Sequence, residues 1–428
     1  MVLEFSITNF RSFKETQTLS FIPAAGNEHP ENIATIGKFK ALKTAVVYGA
    51  NASGKSNLVK AFDNFKNFIL KSDQAALNED IKYYEPFIFD NDSQNQPCEY
   101  EVDFLIDGIR YTYFLSFNQK QILKESLHFY PKGRKSKLFE RINNKYSYGE
   151  YFSGSKKLVE NATQNNQLFL TKGAKNNMEV LNKFYSFIKN KIVVFNPFAD
   201  KVNKGLKKTL GKIFLGDTFL DKKFTKLIQN LFSTVDSNIK GLRVKKNIDN
   251  EFDIFVLRKI NNNGNGMHTP ININEESDGI KKFLILSAMI IFHLEQKSTF
   301  IYDELERSFH TYLSQYIIKL YQNGNINSQN AQLLVTTHDT NLISEKTSLR
   351  RDQINIAEKD NEGQTELYSL SDFGGIKKDA PFDKWYLSGV LGGTPTFQNL
   401  EFEQFYIDEQ KKANQENKEE KSALADTL

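Results

Sequence analysis

Gly49, Gly54, Lys55 and Ser56 stand at the spacing Gly-x-x-x-x-Gly-Lys-Ser within the stretch TAVVYGANASGKSNLVKAF, Thr44 to Phe62. Residues of these types at this spacing can hold a triphosphate. The glycines allow a turn in which successive backbone N–H groups converge on phosphate oxygens, and the helix start behind the turn adds a favourable partial charge. The whole turn is therefore expected to contact nucleotide: Gly49, Ala50, Asn51, Ala52, Ser53, Gly54, Lys55, Ser56 and Asn57. Within it, Lys55 would reach the β- and γ-phosphates and the Ser56 hydroxyl would ligate Mg²⁺.

A phosphate cradle alone hydrolyses nothing, so the remaining chemistry must come from later in the chain. The stretch STFIYDELERSFHTYL reads as an apolar strand, Thr299 to Tyr302, ending in two carboxylates. Asp303 can hold the Mg²⁺ shell, and Glu304 can orient or deprotonate an attacking water. A further strand, QLLVTTHD, ends at His338, which can sense the γ-phosphate. Each of these three signals is weak alone. Their order after the phosphate turn gives them weight. The cofactors expected are ATP and Mg²⁺; no Asn-Lys-x-Asp base-reading motif is present, which argues against GTP.

These side chains need elements to position them. Leu3 to Thr8 alternates like a strand, Lys43 to Tyr48 reads as a buried strand, and Lys55 to Leu70 reads as a helix. From Cys98 to Tyr130, three alternating runs separated by turn residues at Asp107-Gly108 and Asn118 predict an antiparallel meander. Lys156 to Ser237 is helix-like, with a break at Asn196-Pro197. The runs GLRVKK and FDIFVLRKI read as strands, and a loop rich in Asn and Gly, Asn261 to Gly266, precedes a helix near Gly279 to Glu295. From Asp408 the chain is charged and poor in apolar residues, the composition of a disordered tail.

At 428 residues the chain can bury a large core. Its 56 basic residues against 52 acidic ones leave too even a balance to imply nucleic-acid binding. One cysteine, Cys98, excludes an internal disulfide framework and suits a reducing cytoplasm. The longest apolar run, FLILSAMIIFHLEQ, is too short to span a bilayer, and no membrane association is expected.

The order of motifs resembles the ABC-type ATPases of the chromosome-maintenance (SMC), RecF and overcoming-lysogenisation-defect (OLD) group. More narrowly, it is similar to the ATPase subunits of bacterial phage-defence and abortive-infection systems. The resemblance implies an α/β fold, an ABC-type P-loop head with an antiparallel β lobe and a helical insertion. Residues 1–155 would form the N-terminal part of the head, 156–240 the insertion, 241–407 the C-terminal part, and 408–428 the tail. Arg11, within ITNFRSF, would then lie near the phosphates. ESDG, Glu276 to Gly279, would take the place of the signature motif, with Ser277 and Gly279 matching and Glu276, Asp278 and Ile280 departing from it. Glu306 to His310 would be the D-loop, and no Q-loop glutamine can be placed. The resemblance further implies a homo-oligomer with composite ATP sites, Ser277 and Gly279 of one protomer capping the γ-phosphate held by another. A separate effector such as a nuclease is expected, because no Asp-x-Asp pair follows His338. The alternative it leaves open is a DNA-repair ATPase that clamps DNA directly.

The basic stretch PKGRKSKLFER, with Lys132, Arg134, Lys135, Lys137 and Arg141, has the composition of a nucleic-acid contact but reads more simply as a solvated hairpin loop. GLKKTLGK near Lys207 invites the same reading. YLSGVLGGTP, Tyr386 to Pro395, also resembles this group of ATPases but has no chemical role legible from its residues.

Overall fold

The strand before the phosphate turn, Thr44–Tyr48, is buried at all five positions, as expected of a strand covered on both faces. A computed structural model describes residues 1–195, 219–246, 252–259, 268–343, 347–374, 381–394 and 399–425; the basic run at Lys207 and the loop at 261–266 lie outside them. Strands in chain order are β1 (Val2–Thr8), β2 (Gln17–Ser20), β3 (Ile33–Ile36), β4 (Phe39–Leu42), β5 (Thr44–Tyr48), β6 (Cys98–Ile106), β7 (Ile109–Phe117), β8 (Ile122–Phe129), β9 (Ser136–Ile142) and β10 (Lys145–Tyr148). They continue as β11 (Ile192–Phe195), β12 (Ile239–Lys246), β13 (Phe252–Lys259), β14 (His268–Asn272), β15 (Thr299–Tyr302), β16 (Gln332–Thr337), β17 (Ile354–Lys359) and β18 (Thr365–Ser369). Helices are α1 (Lys55–Lys71), α2 (Lys156–Ala162), α3 (Phe169–Lys175), α4 (Glu179–Lys191), α5 (Phe219–Phe232), α6 (Asp278–Gln296), α7 (Thr311–Gln322), α8 (Phe382–Leu387) and α9 (Asn399–Ala425).

The central sheet has the order β11-β15-β16-β5-β17-β18, parallel except for β18. Alternate residues of its strands feed two cores. Ala45, Val47, Ile301 and Leu334 face α1 and the second sheet, whereas Val46, Tyr48, Phe300, Tyr302, Leu333 and Val335 face α6 and α7. The second sheet is antiparallel, β10-β9-β8-β7-β6-β1-β2. The expected meander is its centre, and β1 joins it beside β6. A third sheet, β12-β13-β14, stands apart. The architecture is α/β, a largely parallel sheet beside an antiparallel lobe.

α1 carries Lys55 and Ser56 at its start and is held down by aromatic packing. Phe62 stacks on Phe5 of β1 with ring centroids 3.8 Å apart, and Phe65 meets Tyr100 edge-on at 5.6 Å. Truncating a buried ring such as Phe62 to alanine costs about 3–5 kcal/mol, so the placement of the helix start is well determined.

Three particulars differ from the sequence reading. Inside the stretch read as helical, Ile192–Phe195 is a strand that pairs in parallel with β15; four apolar residues are too few to separate strand from helix by periodicity. Arg141, counted with the exposed basic residues, is fully buried. Its Nη1 donates to the Gln167 carbonyl at 2.6 Å, and it lies 3.9 Å from Glu125. Burial pushes the Glu125 carboxyl upward, against the opposing charge of Arg141 and N–H donors from Leu170 and Phe169. Finally, where composition reads as a tail from Asp408, α9 runs through to Ala425, consistent with the helix propensity of its Glu, Lys, Gln and Ala residues. Residues 394–428 form a unit distinct from 1–393. No helix among the described residues is long and apolar enough to cross a membrane.

Candidate functional site

β15, β16 and β5 are neighbours, so their C-terminal ends bring Asp303, His338 and the phosphate turn to one edge of the sheet, where parallel α/β sheets bind ligands. In the turn, Gly54 has φ 107°, and a Cβ there would lie 2.1 Å from Thr365 Oγ1. Ala52 is left-handed at φ 64°, which helps curl successive N–H groups into an anion-binding concavity. A Cβ on Gly49 would meet the Ala357 carbonyl at 2.3 Å. Neither glycine has room for a side chain.

Lys55 is buried, and its Nζ donates to the carbonyls of Gly49 and Ala50 at 2.6 and 2.7 Å. Burial lowers its pKa, opposed by the negative charges of Glu306, Glu304 and Asp303. A buried cation aimed along the loop can pair with phosphate oxygens. Ser53 Oγ is buried with no hydrogen-bond partner among the described residues. Asn51 and Ala52 are exposed, and the Asn57 amide is spent on Ser12 Oγ at 2.8 Å.

The loop is clamped from two sides by residues the sequence reading left without a role. Thr365 Oγ1, on β18, donates to the Ser53 carbonyl at 2.9 Å and lies 2.8 Å from Ser12 Oγ. The Ala50 N–H donates to the Gly393 carbonyl at 2.7 Å, which also accepts from the Tyr386 hydroxyl at 2.9 Å. This supplies a physical role for Tyr386 and Gly393 of the glycine-rich stretch: they brace the phosphate loop.

Asp303 Oδ1 accepts from Thr336 Oγ1 at 2.6 Å and from Ser56 Oγ at 3.3 Å. Two oxygens at neighbouring corners of an octahedral Mg²⁺ shell are about 3 Å apart, so Ser56 and Asp303 fit a hydrated Mg²⁺ completed by phosphate. Among the described residues no group of three or more His, Cys, Asp or Glu could hold a metal ion. Thr336 Oγ1 also accepts from the Glu304 N–H at 2.9 Å. Glu304 sits in a left-handed conformation at φ 54°, and its carboxylate accepts from Arg307 Nη1 at 3.0 Å. Thr336 is missing from the sequence reading, and Glu306 appears there only as the start of the expected D-loop; the adjacency of β15 and β16 shows what each one touches.

Arg11 is likewise left-handed, at φ 53°, with its guanidinium paired to the Glu85 carboxylate and its N–H bonded to the Glu85 carbonyl at 2.8 Å. Its neighbour Ser12 touches both Asn57 and Thr365, so Arg11 immediately precedes a residue fastened to the phosphate loop. Ser277 and Gly279 belong to a different surface. Ser277 caps α6, its Oγ accepting from the Ile280 N–H at 3.4 Å, and both residues are exposed. They line a cavity of about 600 Å³ with Phe283, Phe309 and Tyr312, and no phosphate-loop residue lines it. Glu276, the departure from the signature, is buried and held by Arg258 Nε and Nη2 at 2.7 and 2.9 Å.

Solved structures similar to this chain include an SMC head domain from Thermotoga maritima, 13% identical, covering 86% of this chain and 98% of that one with a TM-score of 0.40. Another is an SMC head bound to the C-winged helix domain of ScpA, 12% identical, covering 86% and 97% with a TM-score of 0.41. No curated protein matches. Residues 45–344 match the family described as "AAA domain, putative AbiEii toxin, Type IV TA system". That span carries the phosphate loop, both strand-end acids and His338, and the chain belongs to this AAA-domain family.

Proposed function

We propose that the chain is an ATP-hydrolysing switch whose copies associate through composite sites, and that it regulates a separate effector in antiphage defence. The observation that carries the reading is the convergence of Lys55, Ser56, Asp303, Glu304, Thr336 and His338 at the ends of three adjacent strands. Lys55 and the loop N–H groups would bind the triphosphate, and Ser56 and Asp303 would hold Mg²⁺, which when bound offsets charge between the β- and γ-phosphates. Glu304 would orient the attacking water, and His338 would contact the γ-phosphate. Ser277 and Gly279 stand exposed at the start of a 19-residue helix, where free N–H groups favour an anion. Supplying them to a second copy accounts for their lining a cavity that no residue of their own phosphate loop lines. Hydrolysis then releases the closure, so ATP times a conformational state. The defence role draws on the family's description, "putative AbiEii toxin, Type IV TA system", and the effector is taken to be a separate protein.

The test is a pair of variants. Lys55→Ala is expected to lose ATP binding, while Glu304→Gln binds ATP, stops turning over and accumulates as an associated species in sedimentation. Wild-type turnover in Glu304→Gln would remove its assigned role. With Mg²⁺ or Mn²⁺ and ATP, the purified chain is expected to leave DNA and RNA intact; cleavage abolished by Lys55→Ala would place the effector within this chain.

A further inference from the structure

Glu306 lies in the short turn between β15 and α7, three residues beyond Asp303. The main-chain N–H of His338 donates to Glu306 Oε1 at 2.8 Å, and the His338 ring Nδ1 lies 2.7 Å from the same oxygen. An ionised carboxylate can only accept, so Nδ1 carries a proton and donates it. The Glu306 side chain is 9% exposed and that of His338 55%. The ring is therefore gripped from its buried side, and Nε2 is the nitrogen left for a ligand. The other carboxylate oxygen, Oε2, is buried with no hydrogen-bond partner among the described residues. Of the three acidic residues that counter the effect of burial on Lys55, Glu306 contributes most. The carboxylate that holds the strand-end histidine thus also contributes to the negative field at the phosphate-loop lysine.

The geometry points to Glu306 as a positioning residue for the hydrolysis proposed above, on which this inference depends: it fixes the His338 ring with its proton on Nδ1 and presents Nε2 to the terminal phosphate. A neutral histidine in water prefers the proton on Nε2, so without Glu306 the ring loses both its anchor and its tautomer.

Two readouts test this on the full chain. The first is kinetic. Glu306→Ala and the isosteric Glu306→Gln are each expected to lower kcat about tenfold to a hundredfold, with the affinity for a fluorescent ATP analogue unchanged within about threefold. His338→Ala is expected to be slow as well, and Glu306→Ala combined with His338→Ala no slower than His338→Ala alone, because both act through one group. The second readout does not depend on activity. In protein labelled with ¹⁵N in the histidine rings, the His338 signal, identified by its absence in His338→Gln, is expected to report Nδ1–H in the wild type and mainly Nε2–H in Glu306→Ala. If the alanine variant melts early, Glu306→Gln carries the kinetic test and the wild-type ring signal carries the other. A wild-type ring protonated on Nε2 alone, losses that multiply in the double variant, or wild-type kcat in His338→Ala overturns the inference. Failure of the ATPase reading is recognised separately: Lys55→Ala would then match the wild type, while the ring signal still reports on the Glu306–His338 bond.

Discussion

The hydroxyl of Thr336 joins two halves of the site. It donates to Asp303 Oδ1 and accepts from the Glu304 N–H, so the acid expected at the metal and the acid expected at the water share one anchor. Thr336→Val keeps the shape and leaves the Glu304 N–H without its acceptor, a loss of about 1–2 kcal/mol or roughly tenfold. The expected outcome is a kcat lower by that factor and a raised Mg²⁺ requirement, read from ATPase titrations with Mg²⁺; an unchanged Mg²⁺ midpoint would separate Thr336 from the metal side. The limits of sequence reading are plain at this scale. Gly54, Lys55 and Ser56 are legible because their spacing is local and their chemistry narrow. Thr336 and Glu85 act through partners dozens of residues away, so nothing near them in the chain marks them, and Glu306 and Gly393 fall in stretches whose contacts the sequence does not show.

Among elements, the start of α6 repays attention, because the signature departs from its pattern there. Glu276 is tied by Arg258 to β13, and Arg258 Nη1 reaches Asp236 at 2.6 Å. The exposed Ser277 and Gly279 are thereby fixed to the three-stranded sheet. Arg258→Met strands the buried Glu276 carboxylate; for a site partly open to solvent the cost is about 2 kcal/mol, below that of a fully buried pair. Chemical denaturation is expected to register that loss, and turnover to fall while ATP affinity holds. Asp236 adds a pH dependence. The Asn238 N–H, and then Arg258, hold its carboxyl below the usual carboxylate value, so its contribution is complete above about pH 4 and fades as pH falls further. In Arg258→Met the acid limb of a stability–pH curve should flatten. Other elements were harder to foresee. The meander was legible from alternation and Asp107-Gly108, whereas Ile192–Phe195 gave four apolar residues and no direction.

For the whole molecule, strand order decides whether there is a site. β5 precedes β15 and β16 by hundreds of residues yet is adjacent to β16 in the sheet, with β15 on the far side of β16, and that order puts a turn, an acid pair and a histidine at one edge. The α/β class could be read from buried runs alternating with helices; the crossing of β1 into the antiparallel sheet and the separate three-stranded sheet could not, because pairing partners leave no local mark. At this scale the proposal of shared sites makes its sharpest claim. Ser277→Arg is expected to stop turnover with ATP affinity nearly intact, since an arginine there would obstruct a neighbour's γ-phosphate. Mixed with Lys55→Ala, it should recover part of the activity, because one composite site then holds two undamaged halves. Mixtures that exchange subunits yet stay inactive would place Ser277 outside the shared site.

The Ala50–Gly393 hydrogen bond has a practical corollary. The phosphate turn begins at residue 49, but its bracing is not complete until residue 393, the last of the main unit. A protease cut or stop codon after Thr394 should spare nucleotide affinity and detach only the terminal helix. One after Asp372 should leave the loop's N–H and the Tyr48 ring without Gly393 and Tyr386, and ATP binding should fall although every residue of the glycine–lysine–serine motif is still present.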